Sequence, residues 1–449
     1  MVLSFKAGIF SARSTTGTQS VTGVGFQPKA LILHTTAGIL DTFEADTAWY
    51  TGFASSSTLA DQKSLAILGF DAQDPSDADS GWDNAAIFNH PDVTVPAFIM
   101  VAELQSFDSD GFTLDWTITE FSAFEIGYIA IGGADVTNAD VGQFNAPAVT
   151  GNNAVTGVGF QPDLIFLMGT NHTADNNQLD TQGNWSFGVA KSTTQRALCA
   201  GMMENGVGTM DTARYQRTDK CLAMFSNTDS TVLTHEADLV SMDSDGFTLN
   251  YTTASSSNKR VAYLALKGGN YAVGSFTSPT AGTAPVAQSV TGVGFQPDGV
   301  MFMTNGATAS SSIQTHMRNS LGAANSSSSE WEEWCGDEDA ATAQITATMA
   351  DTDAVIRVSD EAAAVGSSTT QALADFTSLD ADGFSVSWSV RDSGNAYEVI
   401  YVAFGDTPAA PAAAAGGEVS RTATDMLMTG LAEIMTSRRK RGVDTRMGM

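Results

Sequence analysis

Apolar residues along this chain recur in short runs with two rhythms, and each rhythm appears three times. The first is continuous: Leu31-Ile32-Leu33, Leu164-Ile165-Phe166-Leu167-Met168 and Val300-Met301-Phe302-Met303. Side chains that are apolar on both sides of the pleat suit a strand covered on both faces, so each run predicts the central strand of a sheet. The second rhythm alternates: Phe112, Leu114, Trp116 and Ile118; Phe247, Leu249 and Tyr251; Phe384, Val386, Trp388 and Val390. Period two predicts a strand with one face in a core and one in water. Before the C-terminal tail, no long segment keeps the 3.6-residue period of an amphipathic helix.

The words between these runs also repeat. Val-Thr-Gly-Val-Gly-Phe-Gln-Pro begins at Val21, Val155 and Val290, at intervals of 134 and 135 residues. Gly-x-Phe precedes it each time (Gly8 and Phe10, Gly142 and Phe144, Gly274 and Phe276). Period two inside the phrase puts Val24 and Phe26 on one face and Gly23 and Gly25 on the other, open to a neighbouring backbone. Pro28 and its copies then end the ladder. Further on, Ser-x-Asp-x-Asp-Gly-Phe recurs at 106–112, 241–247 and 378–384, and its Asp-Gly pair predicts a hairpin turn. Each copy closes on an apolar strand, Tyr128-Ile129-Ala130-Ile131, Tyr263-Leu264-Ala265-Leu266 or Tyr401-Val402-Ala403-Phe404. The segments 34–95, 171–233 and 305–366 share little, and such divergent loops on a fixed scaffold are where recognition is usually placed.

Many short strands joined by turns predict an all-β fold of three tandem antiparallel β-sandwich repeats of a jelly-roll-like kind. The repeats span 1–134, 135–270 and 271–406. Units of this size bury roughly two thirds of their unfolded surface without a metal or disulfide staple. They could form a pseudo-threefold cluster or beads along a stalk.

Composition changes abruptly after the third copy. Residues 407–419 are an Ala, Pro and Gly linker, stiff at the prolines and flexible at the glycines. Residues 420–449 then predict an amphipathic helix capped by Thr422 or Thr424, with Leu427, Leu431, Ile434 and Met435 in one stripe. Arg438, Arg439, Lys440 and Arg441 follow where they complement the helix dipole. A helix this short is marginal alone, so the tail is expected to dock on a partner.

Charge reinforces that reading. The chain carries a net −29, but the tail carries six basic and three acidic residues, leaving −32 for the remainder. So acidic a body argues against nucleic acid or an anionic membrane as a partner. The basic tail reads as an attachment arm; docking back onto the acidic repeats and binding nucleic acid inside a particle are the alternatives. No basic region followed by an apolar run opens the sequence, and no run of about eighteen apolar residues occurs, so neither a secretory signal nor a membrane span is expected. Cys199, Cys221 and Cys335 are too few and too unevenly placed for a disulfide framework, and are expected to be buried thiols of a protein made in a reducing cytoplasm.

Candidate chemistry is sparse. The Asp-x-Asp-Gly turns resemble the start of a calcium loop but lack its third acidic ligand and distal glutamate, so a plain turn is expected. Asp108, Asp110, Asp243, Asp245, Asp380 and Asp382 are the ligands if calcium binds. The five histidines share no local context between copies and are expected to be ordinary loop or core residues. Glu330, Glu332, Glu333, Asp337, Glu338 and Asp339 cluster around Trp331 and Trp334, a composition a glycosidase could use, but an exposed acidic loop is the simpler expectation. No enzyme motif occurs, and neither a cofactor nor a catalytic residue is expected.

The Gly-Phe-Gln-Pro phrase with its following apolar strand, the Ser-Phe-Asp-Ser-Asp-Gly-Phe turn and the closing Tyr-Ile-Ala-Ile-Gly-Gly resemble β-sandwich repeats in virion proteins of tailed, particularly marine, bacteriophages. The resemblance covers all three repeats. It implies a structural protein of the virion surface, either a capsid decoration or head fibre or a tail-fibre component. That protein would be anchored to other virion proteins through its tail and made in the host cytoplasm. The alternative is an adhesion protein that recognises host-surface glycans through the divergent segments. A homo-oligomer is compatible with both.

Overall fold

A computed structural model describes residues 2–407, except 92–96, 120–123, 180–182, 203–205, 207, 227–228, 309 and 361–367. The described residues form antiparallel strands and one 3-10 turn at Leu59–Asp61, with no α-helix among them. The expected linker beyond Thr407 and the tail helix with Leu427, Leu431, Ile434, Met435, Arg438, Arg439, Lys440 and Arg441 lie outside the described residues.

Repeat 1 contributes ten strands: β1 (Leu3–Ser11), β2 (Gly17–Thr22), β3 (Pro28–Thr35), β4 (Thr47–Ala54), β5 (Gln62–Gly69), β6 (Ala78–Asp83), β7 (Phe88–Pro91), β8 (Phe98–Asp108), β9 (Gly111–Ile118) and β10 (Glu125–Gly133). They make a six-stranded sheet ordered β1-β10-β3-β4-β5-β6 and a four-stranded sheet ordered β2-β9-β8-β7. Repeats 2 and 3 build the same two sheets in the same order. Successive strands mostly stay in one sheet, β3 to β6 and then β7 to β9. That order is two meanders, and it differs from the alternation between sheets that defines a jelly roll. The divergent segments, which read as loops for want of a shared pattern, carry four of the ten strands of these two sheets in each repeat, and in repeats 2 and 3 also a short extra strand, Asn177–Leu179 or Gln314–Thr315.

The doubly apolar run sits where its pattern requires. Leu31 and Leu33 face the four-stranded sheet of their own repeat, in a core with Leu104, Phe112 and Trp116. Ala30 and Ile32 face the other way, into a core shared by all three repeats. There Phe5, Trp49, Phe166, Trp185, Met301 and Phe404 meet, and Trp49 stacks on Trp185 at 4.5 Å between ring centroids. Residues up to Thr407 accordingly form one compact unit, not beads on a stalk.

The Gly-x-Phe word is explained by close approach. Gly8 pairs with Tyr128 across β1 and β10, and a Cβ at Gly8 would lie 2.4 Å from the tyrosine oxygen. Gly142 stands in the same relation to Tyr263, and Gly274 to Tyr401. The opening glycine of each repeat is therefore the seat for its closing tyrosine.

Each six-stranded sheet ends in an edge that another repeat covers. Asn177–Leu179 of repeat 2 pairs with Ser80, Gly81 and Trp82 on β6. Gln314–Thr315 of repeat 3 pairs with Ala213 and Arg214 of repeat 2. Residues 39–44 of repeat 1 bridge from Leu40 and Glu44 to Ala350 and Thr348 of repeat 3, on the strand Thr346–Asp351. The exchange is cyclic and pairs the β6 edge and its counterparts, while among the described residues the opposite edge of each sheet, β1 and its counterparts, takes no further strand.

Strand direction gives the body two different ends. At one, the main chain of Leu3 donates to Asp406, that of Asp135 to Val2, and that of Thr407 to Asp135, so the first, joining and last segments converge. At the other, the loops after β5 and its counterparts hold one another: Ala72 N donates to Gln344 O, Gly206 N to Ser76 O and Met210 N to Ala341 O. Replacing 39–44 by a short Gly-Ser turn should open the edge at Thr346–Asp351. Size-exclusion chromatography should then show concentration-dependent association, with a lower melting temperature. A monodisperse variant that melts like the parent would show that the arm closes nothing.

Candidate functional site

The two repeated phrases meet at the convergent end. In repeat 1, the two carboxylate oxygens of Asp110 accept the main-chain N–H of Gly23 at 3.1 Å and of Gly25 at 2.6 Å. Gly23 and Gly25 have φ of 83° and 88°, a left-handed conformation that turns successive N–H groups toward one anion. Asp108 accepts the hydroxyls of Ser106 and Thr113, each at 2.7 Å. The second and third copies repeat this bond for bond. Asp245 holds Gly157 and Gly159, and Asp382 holds Gly292 and Gly294. Asp243 holds Ser241 and Thr248, and Asp380 holds Ser378 and Ser385.

The expected strand through Gly23 and Gly25 is corrected here. The ladder of β2 stops at Thr22, and the glycines form a nest around a carboxylate instead of a flat face. The hairpin itself is as expected, with Gly111 at φ 140°. The six candidate calcium ligands already carry internal hydrogen bonds, with three pairs in three separate turns. Among the described residues no group of three or more His, Cys, Asp or Glu side chains is placed to hold a metal ion.

The acidic cluster near Trp331 is the other correction. It is not an exposed loop, because Ser329–Asp337 is a strand in which Glu332 and Glu333 are fully buried. Alternation sends the two glutamates to opposite faces, so they do not flank a common bond as a glycosidase pair must. Glu332 lies inside repeat 3, where it accepts Arg357 Nε at 3.0 Å and Ser320 Oγ at 3.0 Å, while Arg357 also binds Asp351. Burial still pushes its carboxyl up to about 7, against the pull of Arg357. Glu333 faces repeat 1, accepting the main-chain N–H of Thr36, the Thr36 hydroxyl at 3.2 Å and the main-chain N–H of Gly127 at 3.1 Å. Register places Leu65 of repeat 1 and Leu198 of repeat 2 at the equivalent position, so at this point in the sheet only repeat 3 presents a carboxyl. Burial pushes that carboxyl up to about 8 although all three donors favour the ionised form.

The remaining candidates are core. His34 and His172 are buried, and burial lowers both rings to about 3; His235 falls to about 4 for the same cause. Cys199, Cys221 and Cys335 are free and buried, and burial pushes the Cys199 and Cys221 thiols up. Sequence reasoning missed the inter-repeat groups, namely Glu333 with Thr36 and the arm 39–44, and the buried Arg357 inside repeat 3. The signal available was Trp331, Glu333 and Cys335 alternating with Glu330, Glu332 and Trp334, a period-two pattern hidden by charge.

No protein-family model matches this sequence, and no curated protein matches it.

Two measurements test these assignments. Asp245→Ala leaves the N–H groups of Gly157 and Gly159 without their acceptor and should lower stability by about 1–3 kcal/mol, while excess calcium or chelator leaves the parent's melting temperature unchanged. A calcium-dependent melting temperature would make the turns metal sites. For Glu333 the folded carboxyl titrates near 8, against about 4.5 unfolded, so its contribution is full below pH 4.5 and is lost as pH rises toward 8. Glu333→Leu should therefore be less stable than the parent at pH 5. The gap should narrow by up to about 1.4 kcal/mol per pH unit as pH rises to 8. A gap independent of pH would show that Glu333 is already ionised at pH 5.

Proposed function

We propose that this chain is a structural protein of a bacteriophage virion surface, a capsid decoration, head fibre or tail-fibre component. In this reading it consists of three tandem β-sandwich modules, and the basic amphipathic tail 420–449 anchors it to other virion proteins. The observation that carries the reading is the difference between the two ends of the body. The repeated words, with their carboxylate locks, occupy the end where the chain leaves the body at Thr407. The divergent loops after β3 and β5 and their counterparts occupy the opposite end, and the turn after β4 and its counterparts lies at the tethered one. A body that is constant where it is tethered and varied where it faces outward is what a display protein needs.

The chemistry supports a structural role over a catalytic one. The titratable groups with the largest shifts are explained by burial between sheets and modules, and Glu332 and Glu333 sit on opposite faces of one strand. A body that carries −32 apart from the tail repels nucleic acid. Recognition of host-surface glycans by the divergent end is the second reading, favoured by the same placement of loops.

Removing residues 420–449 should leave a folded body with the parent's melting temperature that no longer enters particles when supplied in trans during infection. Incorporation at the parent's level would place the anchor elsewhere. A glycan array probed with the full chain addresses the second reading. Binding lost on exchanging the loops between β5 and β6 would support it, and no binding across a broad array would remove it.

A further inference from the structure

Repeat 1 contains a cavity of about 420 Å³ beside the arm that crosses to repeat 3, with Thr348 of repeat 3 in its wall. This is within the size range of small-molecule pockets. Its wall is mainly apolar, with Ile39, Leu68, Phe70, Ile99 and Phe124 around it, and its floor includes Tyr50. Three threonines, Thr36, Thr47 and Thr348, also line it, but their hydroxyl hydrogens are directed to Glu333, Gly336 O and Thr36 O respectively. The Tyr50 hydroxyl is different. It is buried, and it has no hydrogen-bond partner. Such a group costs about 1–3 kcal/mol relative to one that is satisfied, so a bound molecule that pairs with it gains what the empty pocket lacks.

The wall segment shows a second sign of specialisation. Ala37, Asp41 and Asp46 all have positive φ, at 56°, 59° and 70°, within the one stretch that crosses from repeat 1 to repeat 3. Backbone held in this region by residues other than glycine is costly and gathers at ligand clamps and switch regions. Tyr50 also has no counterpart. Register puts Ser186 and Ser320 at the equivalent positions of repeats 2 and 3, so the polar anchor belongs to repeat 1 alone.

The lining fixes the class of occupant. A sugar needs many hydrogen-bond partners. The polar lining is three threonines whose hydrogens are already directed elsewhere, His90 with its Nδ1 on Pro91 O, Asp46 at the mouth and the Tyr50 hydroxyl, which is fewer than a sugar ring needs. Asp46 lines the mouth and is exposed, so it opposes an anionic head and with it a fatty or aromatic acid. We propose that this cavity binds a small neutral apolar molecule of the alcohol or phenol class, its rings or chain among Leu68, Phe70 and Phe124 and its oxygen on Tyr50. The site goes beyond the virion reading and does not depend on it.

The test uses the full chain and three probes that share one ring system: 1-naphthol, naphthalene and 1-naphthoic acid, measured by isothermal titration at pH 7. The expected order is naphthol tightest, naphthalene weaker and naphthoate weakest, with at least tenfold between the first and last. Tyr50→Phe should weaken naphthol by about two- to tenfold, the worth of one hydrogen bond, and leave naphthalene unchanged. Ala45→Trp, which fills the cavity from a half-exposed wall position, should abolish binding of all three while the melting temperature stays within a few degrees of the parent's. No heat with any probe would overturn the proposal. Naphthoate binding as tightly as naphthol would overturn the choice of class, and binding that survives Ala45→Trp would overturn the location.

Discussion

Everything in this body follows from six-stranded sheets with two apolar faces and only one four-stranded partner each. The partner sheet covers Leu31 and Leu33 and their counterparts, but Ala30, Ile32, Leu164, Phe166, Met301 and Met303 point away from it. An isolated repeat would therefore expose a whole sheet face to water. At about 25 cal/mol per Å² of apolar surface, that exposure outweighs the few kcal/mol by which a domain of this size is normally stable. Three repeats facing one another remove it at once, and the shared core with Trp49 against Trp185 is the result. The modules are thus separate in sequence but not in stability.

Two lesser problems are solved on top of that packing. Antiparallel sheets have edges, and here one edge of each six-stranded sheet is closed by a strand or arm lent by the next repeat in a cycle. The loops between strands need fixing, and the convergent end does this with charge-assisted bonds from carboxylate to glycine N–H, which are roughly twice as strong as neutral ones. The acidic residues that look like surplus charge in the composition are partly structural at both ends.

Most of the scaffold was legible because the repeated words have local causes. The double apolar run, the alternating strand after the Asp-Gly turn and the closing Tyr strand each state a burial pattern that nearest neighbours enforce. What escaped detection depends on distant partners. Nothing near Gly23 or Gly25 reveals a carboxylate 85 or more residues away that bends them out of a strand. Nothing near Glu333 reveals that its donors lie in repeat 1, and a run of charges reads as a wet loop unless its period is weighed before its polarity. Strand order and edge exchange are likewise set by pairings that leave no mark on either segment alone. Tyr50 illustrates the limit for function: an aromatic in an apolar strand reads as core, and only its place in the wall of a cavity with an unpartnered hydroxyl gives it another reading.

The arm 39–44 has a consequence in time as well as in space. It comes off the ribosome early, yet the strand it closes, Thr346–Asp351, is made about three hundred residues later. At synthesis rates of roughly 5–20 residues per second, the first repeat waits many seconds with an open arm and an uncovered sheet face. Its fusion to the other two repeats sets their local concentration once they appear, so closure is unimolecular and does not depend on how much protein the cell holds. A free-standing trimer of single repeats would have to find its partners by diffusion. This chain carries them, and its native state is reached only when the last repeat is complete.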